Sequence, residues 1–240
     1  MDTDEELEAN YKTYISSFNG ILDLCKSKIS KMPSFYHNLK ELNISHTNIS
    51  VLDQLPKNLK SFKCSFTPIN KFPQLPDSLL VLVASNTKII NLPDLPMNLT
   101  HIRVDNNNIT KLPSLPKSLV CLICNNCPLI DLPKLPYNLI YLNCSNTEIK
   151  KLPQLPEKLS ELYCNNNKIE IPVYIPDSVK NVSFIGCNFT SIQKTNEESI
   201  SQYMDRFRIH VREKRNKERL DKIKNDLLIK SFRDAVLDYN

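Results

Sequence analysis

Glycine is nearly missing: Gly20 and Gly186 are the only two in 240 residues. A dinucleotide-binding fingerprint needs three glycines within six residues, and a phosphate-binding loop needs two close together. Neither can be built from this chain, and it contains no Gly-x-Ser-x-Gly nucleophile elbow. Long apolar runs are also lacking, since none approaches the roughly 18–20 residues that span a bilayer. The opening MDTDEELEAN is acidic and polar, without the basic start and apolar stretch of a secretory leader. Eight cysteines without such a leader point to free thiols in a reducing compartment, so the expected location is intracellular and cytoplasmic. Nor is charge of one sign dominant. The chain holds 31 Lys and Arg against 26 Asp and Glu, too mild an excess to mark a nucleic-acid binder.

What the chain has in excess is proline, 16 residues, most of them in a repeat. Leu22, Leu42, Phe62, Leu82, Ile102, Leu122, Leu142, Leu162 and Val182 recur every 20 residues without slippage. Counting from each of these starts, position +2 carries Leu24, Ile44, Cys64, Ala84, Val104, Cys124, Cys144, Cys164 and Phe184. Position +7 runs from Ile29 and Ile49 to Ile169 and Phe189, and position +10 from Met32 and Leu52 to Leu152 and Ile192. The unit reads LxxLxCxxNxIxxLPxLPxx. Its first part alternates with period two and predicts a short strand with its apolar residues inward. Stacked strands about 4.8 Å apart form a parallel sheet, here the concave side of an arc roughly 43 Å long. The LPxLP part cannot hold a helix, because proline fixes φ and removes a donor, so an extended, polyproline-type convex return is expected. Position +5 holds Ser27, Thr47, Thr67, Thr87, Asn107, Cys127, Thr147, Asn167 and Cys187, all able to bond buried backbone groups.

These residues resemble the short leucine-rich repeats of secreted effectors from pathogenic bacteria, including effector ubiquitin ligases, over residues 21–192. The resemblance implies a right-handed leucine-rich-repeat solenoid and a protein-binding role, as scaffold, host-directed effector or substrate-recruiting arm of a separate ligase. The richness in Asn, Ile and Lys with little Gly fits an AT-rich genome and is similar to leucine-rich-repeat proteins of giant DNA viruses infecting amoebae. The ligases carry a Cys-x-Asp nucleophile in a large helical domain after the repeats. This sequence has no Cys-x-Asp and no cysteine after Cys187, so no enzymatic activity is expected.

A solenoid needs caps at its ends. Residues 1–20 read as an amphipathic capping helix, with Leu7, Tyr11, Ile15 and Phe18 on one face and Asp4, Glu5 and Glu6 in the first turn. Residues 193–240 read as a helical cap and tail. One face there carries Ile200, Met204, Phe207 and Val211, and a second carries Leu220, Ile223, Leu227, Leu228 and Phe232.

The run Cys121-x-x-Cys124-x-x-Cys127 has the spacing of a metal-ligand motif. The repeat register sends its three sulfurs in different directions, so structural thiols are expected, with no metal and no cofactor. Binding contacts are expected instead on the concave face, at Val81, Val83, His101, Arg103, Asp105, Ile123, Asn125, Tyr141, Asn143, Tyr163 and Asn165. Tyr141 and Tyr163 should be diagonal neighbours beside Ile123, aromatics in a neutral polar setting such as protein-binding hot spots use. The other candidate surface is the basic stretch 206–224, nine Lys and Arg against three acids. There Arg212, Lys214, Arg215 and Arg219 could take nucleic acid or an anionic surface. Its interleaved acids and single apolar stripe fit a solvated amphipathic helix better.

Overall fold

The computed structural model describes residues 20–32, 38–169 and 175–187. The expected capping helices, the tail and its four basic residues lie outside these. Nine three-residue strands follow one another: β1 (Ile21–Asp23), β2 (Glu41–Asn43), β3 (Ser61–Lys63), β4 (Val81–Val83), β5 (His101–Arg103), β6 (Cys121–Ile123), β7 (Tyr141–Asn143), β8 (Glu161–Tyr163) and β9 (Asn181–Ser183). They pair in parallel in sequence order to form one sheet. Every residue pairs with the residue 20 positions on, so Leu22, Leu42 and Phe62 form one column and Leu122, Leu142 and Leu162 continue it. The chain is a leucine-rich-repeat solenoid of about eight turns.

The middle residue of every strand is buried and its two neighbours face the other way, as a period of two requires. Leu59, Leu79, Leu99, Leu119, Leu139 and Leu159 close the core three residues before each start and are fully buried. Phe62 fills the widest place, its ring edge-on to Phe72 at 6.0 Å. Between strands the described residues carry no α-helix and no further strand. Leu52, Leu75, Leu135 and Leu155 of the LPxLP returns point into the core, while Leu95 and Leu115 are half-buried. From Pro56 onward each return ends in a tight turn in which its last proline's carbonyl accepts a backbone bond three residues on, as in Leu59 N–H to Pro56 O at 3.1 Å. The turns are tied to one another by a small polar residue. Ser78 Oγ lies 2.8 Å from both Lys57 O and Leu59 O, and Ser118 Oγ repeats this at 2.7 Å with Met97 O and Leu99 O.

Position +5 is the polar spine. Ser27, Thr47 and Thr67 turn their hydroxyls onto the carbonyl three residues back, at 2.7–2.8 Å. Asn107 does more, since Nδ2 donates to Ala84 O at 2.7 Å and Val104 O at 2.8 Å while Oδ1 accepts from Thr87. Cys127 and Cys187 stand in the same column and offer Sγ to Val104 O and Cys164 O.

One column escaped the sequence reading. Position +4 has positive φ in every described repeat: 52–64° at Lys26, His46, Phe66, Asn86, Asn106, Asn126, Asn146 and Asn166, and 73° at Gly186. Asparagine tolerates this left-handed conformation better than other residues with a Cβ, which explains its recurrence there. At Gly186 a Cβ would meet Asn166 Oδ1, so a larger residue there needs that side chain to turn aside.

Candidate functional site

The outer face of the sheet is two columns wide. The first strand residues give Val81, His101, Cys121, Tyr141 and Glu161, and the last give Lys63, Val83, Arg103, Ile123, Asn143 and Tyr163. The parallel register holds them on a rigid grid about 4.8 Å apart between strands. Val81, Val83, Cys121, Ile123, Tyr141, Asn143, Glu161 and Tyr163 are half-buried, whereas Lys63, His101 and Arg103 stand exposed.

Tyr141 and Tyr163 meet across this grid, ring centroids 5.7 Å apart at 41°. The Tyr163 hydroxyl donates to Glu161 Oε2 at 3.0 Å. Burial pushes both phenols up, and the Glu161 carboxylate adds to the effect on each. Burial also pushes the Cys121 thiol up, against the pull of the Arg103 guanidinium. The Thr100 hydroxyl lies 2.9 Å from Leu80 O and 2.9 Å from His101 Nδ1. It has one proton, which the carbonyl must receive, so Nδ1 carries the hydrogen of that second bond.

Asp105 departs from the expected arrangement. It was expected on the open face with His101 and Arg103, yet only 3% of it is exposed. The strand ends at Arg103 and the chain turns inward, so the alternation lapses at position +3. Ser45, Ser85 and Ser145 of the same column are buried too. Side chains here bridge successive turns: Ser45 Oγ accepts from Ser65 N–H at 3.2 Å, and Ser145 Oγ from Asn165 N–H at 3.1 Å. Asn125 and Asn165 in this column remain half-buried at the rim of the face.

The cysteines diverge as the register requires. Cys124 is in the core, Cys127 in the polar spine and Cys121 on the face. Cys144 and Cys164 touch on adjacent strands, sulfur to sulfur at 3.3 Å. Among the described residues no three His, Cys, Asp or Glu side chains converge as metal ligands. No described helix is long and apolar enough to cross a membrane.

Two surface features were not anticipated from sequence. In the column just before the strands Val120 and Ile140 are adjacent, joined by the bond from Ile140 N–H to Val120 O at 2.8 Å, with Thr100 between them and Leu80. Ile140 is exposed, and this pair extends the apolar face over its edge. At the opposite edge His46 and Phe66 stack. The signal for both was present: two apolar residues stand 20 apart one place before the strand, and two rings stand where asparagine recurs.

No protein-family model matches the chain, and no curated protein matches it. Solved structures do. YopM from Yersinia enterocolitica matches at 25% identity and TM-score 0.55 over 67% of this chain. This chain spans only 41% of that protein's length. A Shigella effector leucine-rich-repeat domain matches at 28% identity and TM-score 0.55, over 62% of this chain and 71% of its own. The leucine-rich effector YopM from Yersinia pestis, at 22% identity and TM-score 0.60, matches in fold over 78% of this chain and 72% of its own. The structural neighbours are bacterial leucine-rich-repeat effectors.

Proposed function

We propose that the chain is a non-enzymatic protein-interaction module, a host-directed effector or scaffold that binds its partner on the outer face of the sheet. The observation that carries this reading is the Tyr141–Tyr163 pair beside Ile123. Two large amphipathic rings, half-buried and held by a rigid ladder, lose little freedom on binding. Val81, Val83, His101, Arg103, Asn125, Asn143 and Asn165 surround that pair as contact residues, with Asp105 acting from beneath. The likeness to effector repeats supports a protein partner over a small molecule, since an open sheet cannot enclose a substrate.

The test is capture of a partner from candidate host cells by the parent chain and its variants. Tyr141→Ala and Tyr163→Ala should each weaken capture by about 1–3 kcal/mol without loss of fold. An interaction that survives both changes, but falls steeply with salt and with charge reversal at Arg212, Lys214, Arg215 and Arg219, would overturn the proposal in favour of nucleic acid or an anionic surface.

A further inference from the structure

The charged side chains of the outer face are Asp23 on β1, Glu41 on β2, Lys63 on β3, Arg103 on β5 and Glu161 on β8. From β5 to the far end of the sheet only Arg103 and Glu161 carry charge. The strands between, β6 and β7, present Cys121, Ile123, Tyr141 and Asn143, none of them charged.

Arg103 is held in place from below. Its Nε donates to Asp105 Oδ1 at 2.8 Å, and that buried carboxylate also takes the Ser85 hydroxyl and Asn106 Nδ2, both at 2.6 Å. Three donors hold Asp105 inside the rim, while the Arg103 side chain stays 54% exposed. The guanidinium is therefore tethered through Nε, with the rest of it open to a ligand. A guanidinium so held loses little freedom on receiving a carboxylate. At the other end Glu161 accepts from Tyr163 and forms no ion pair with another described residue.

We infer that the face takes an extended segment of the partner protein laid across the strands, with an acidic residue on Arg103, a basic residue on Glu161, and apolar or aromatic residues between them over Ile123 and Tyr141. The spacing follows from geometry. Three interstrand steps of about 4.8 Å separate β5 from β8, and Arg103 and Glu161 stand in different columns, about 6.6 Å apart along the strands, so the diagonal is roughly 16 Å. An extended chain advances about 3.3 Å per residue, so the acid and the base stand about four or five positions apart, in either order. A helix would need about ten residues for the same span. This inference rests on the reading that the sheet face is the binding surface.

The experiment is selection of a random twelve-residue peptide library, displayed on phage, against the full chain. Selected peptides should carry an acid and a base about four or five apart, with apolar residues between. Arg103→Gln and Glu161→Gln should each weaken them at least tenfold, and replacing the peptide's own acid by Gln should remove the sensitivity to Arg103→Gln. On the unaltered protein, replacing the peptide's acid by Gln should itself weaken binding at least tenfold, a measurement that stands even where a protein variant folds poorly. Peptides that lack the charge pair, or that bind both charge variants as tightly as the parent, overturn the inference. If such peptides still depend on Tyr141 and Tyr163, the face remains the binding surface. Peptides indifferent to tyrosines and charges alike, or a selection that yields none, overturn both readings.

Discussion

Asn107 Oδ1 accepts two bonds from Thr87 one turn earlier, from its backbone N–H at 2.9 Å and from its hydroxyl at 2.7 Å. Asn167 treats Thr147 the same way three repeats on, at 2.9 and 2.8 Å. In each case one amide side chain satisfies two donors of the neighbouring turn and, through Nδ2, carbonyls that the stack has buried. A leucine-rich repeat has no helix or long ladder here to satisfy those groups, so the polar spine holds adjacent turns in register.

Asn107→Leu should therefore destabilise the chain by about 3 kcal/mol, since it strands several buried polar groups at once. Asn107→Thr should cost less, because threonine fills the same column elsewhere. Denaturant melting of both variants checks the order, and equal costs would assign the loss to packing alone.

The left-handed column makes a second prediction. Asn146→Val should cost about 1–2 kcal/mol from conformation, plus the bond its Oδ1 accepts from Asn166 at 2.7 Å. Asn146→Gly loses the same bond but relieves the backbone, so it should melt clearly above the valine variant. Thermal melting of the pair separates the two contributions.

Leu142 is fully buried between Leu122 and Leu162. Leu142→Asp places a carboxylate where no water can reach it and should disrupt the stack. Because each repeat is stabilised by its neighbours, loss of hydrogen-exchange protection should spread into β6 and β8. Protection lost at β7 alone would show weaker coupling between turns than this packing implies.

The thiols should make stability fall at high pH. Burial pushes Cys64, Cys124 and Cys164 well above the ordinary thiol value. A group whose folded pKa is raised contributes fully below its unfolded pKa and loses that contribution as pH rises towards the folded value. Above pH about 8.5 the unfolded chain releases protons that the folded one retains, so each such thiol should lower stability by about 1.4 kcal/mol per pH unit. Replacing Cys64 by Ala should flatten the alkaline slope by one thiol's share, measured as denaturation midpoint against pH. In the native state a thiol reagent should reach half-exposed Cys25 and Cys121 well before the six buried cysteines.

The 20-residue period by itself determined the solenoid, the nine strands, the inward leucines, the small polar spine and the Tyr141–Tyr163 contact. Each follows from local rules, period two in a strand and proline in the return, applied identically to every turn. What needed the tertiary structure lies where the chain leaves the strand. Alternation assigns Asp105 to the open face, but the inward turn after Arg103 buries it between Ser85 and Asn106. The left-handed residue at position +4 is likewise a property of that turn, and Phe66 adopts it although its bulk opposes it, stacking on His46 at 4.4 Å and 12° from parallel. The tether on Arg103 arises the same way, from a carboxylate two residues along the chain and a hydroxyl one whole turn away. Periodicity specifies which residues share a column, but only the packed turn decides on which side of its rim a side chain comes to rest.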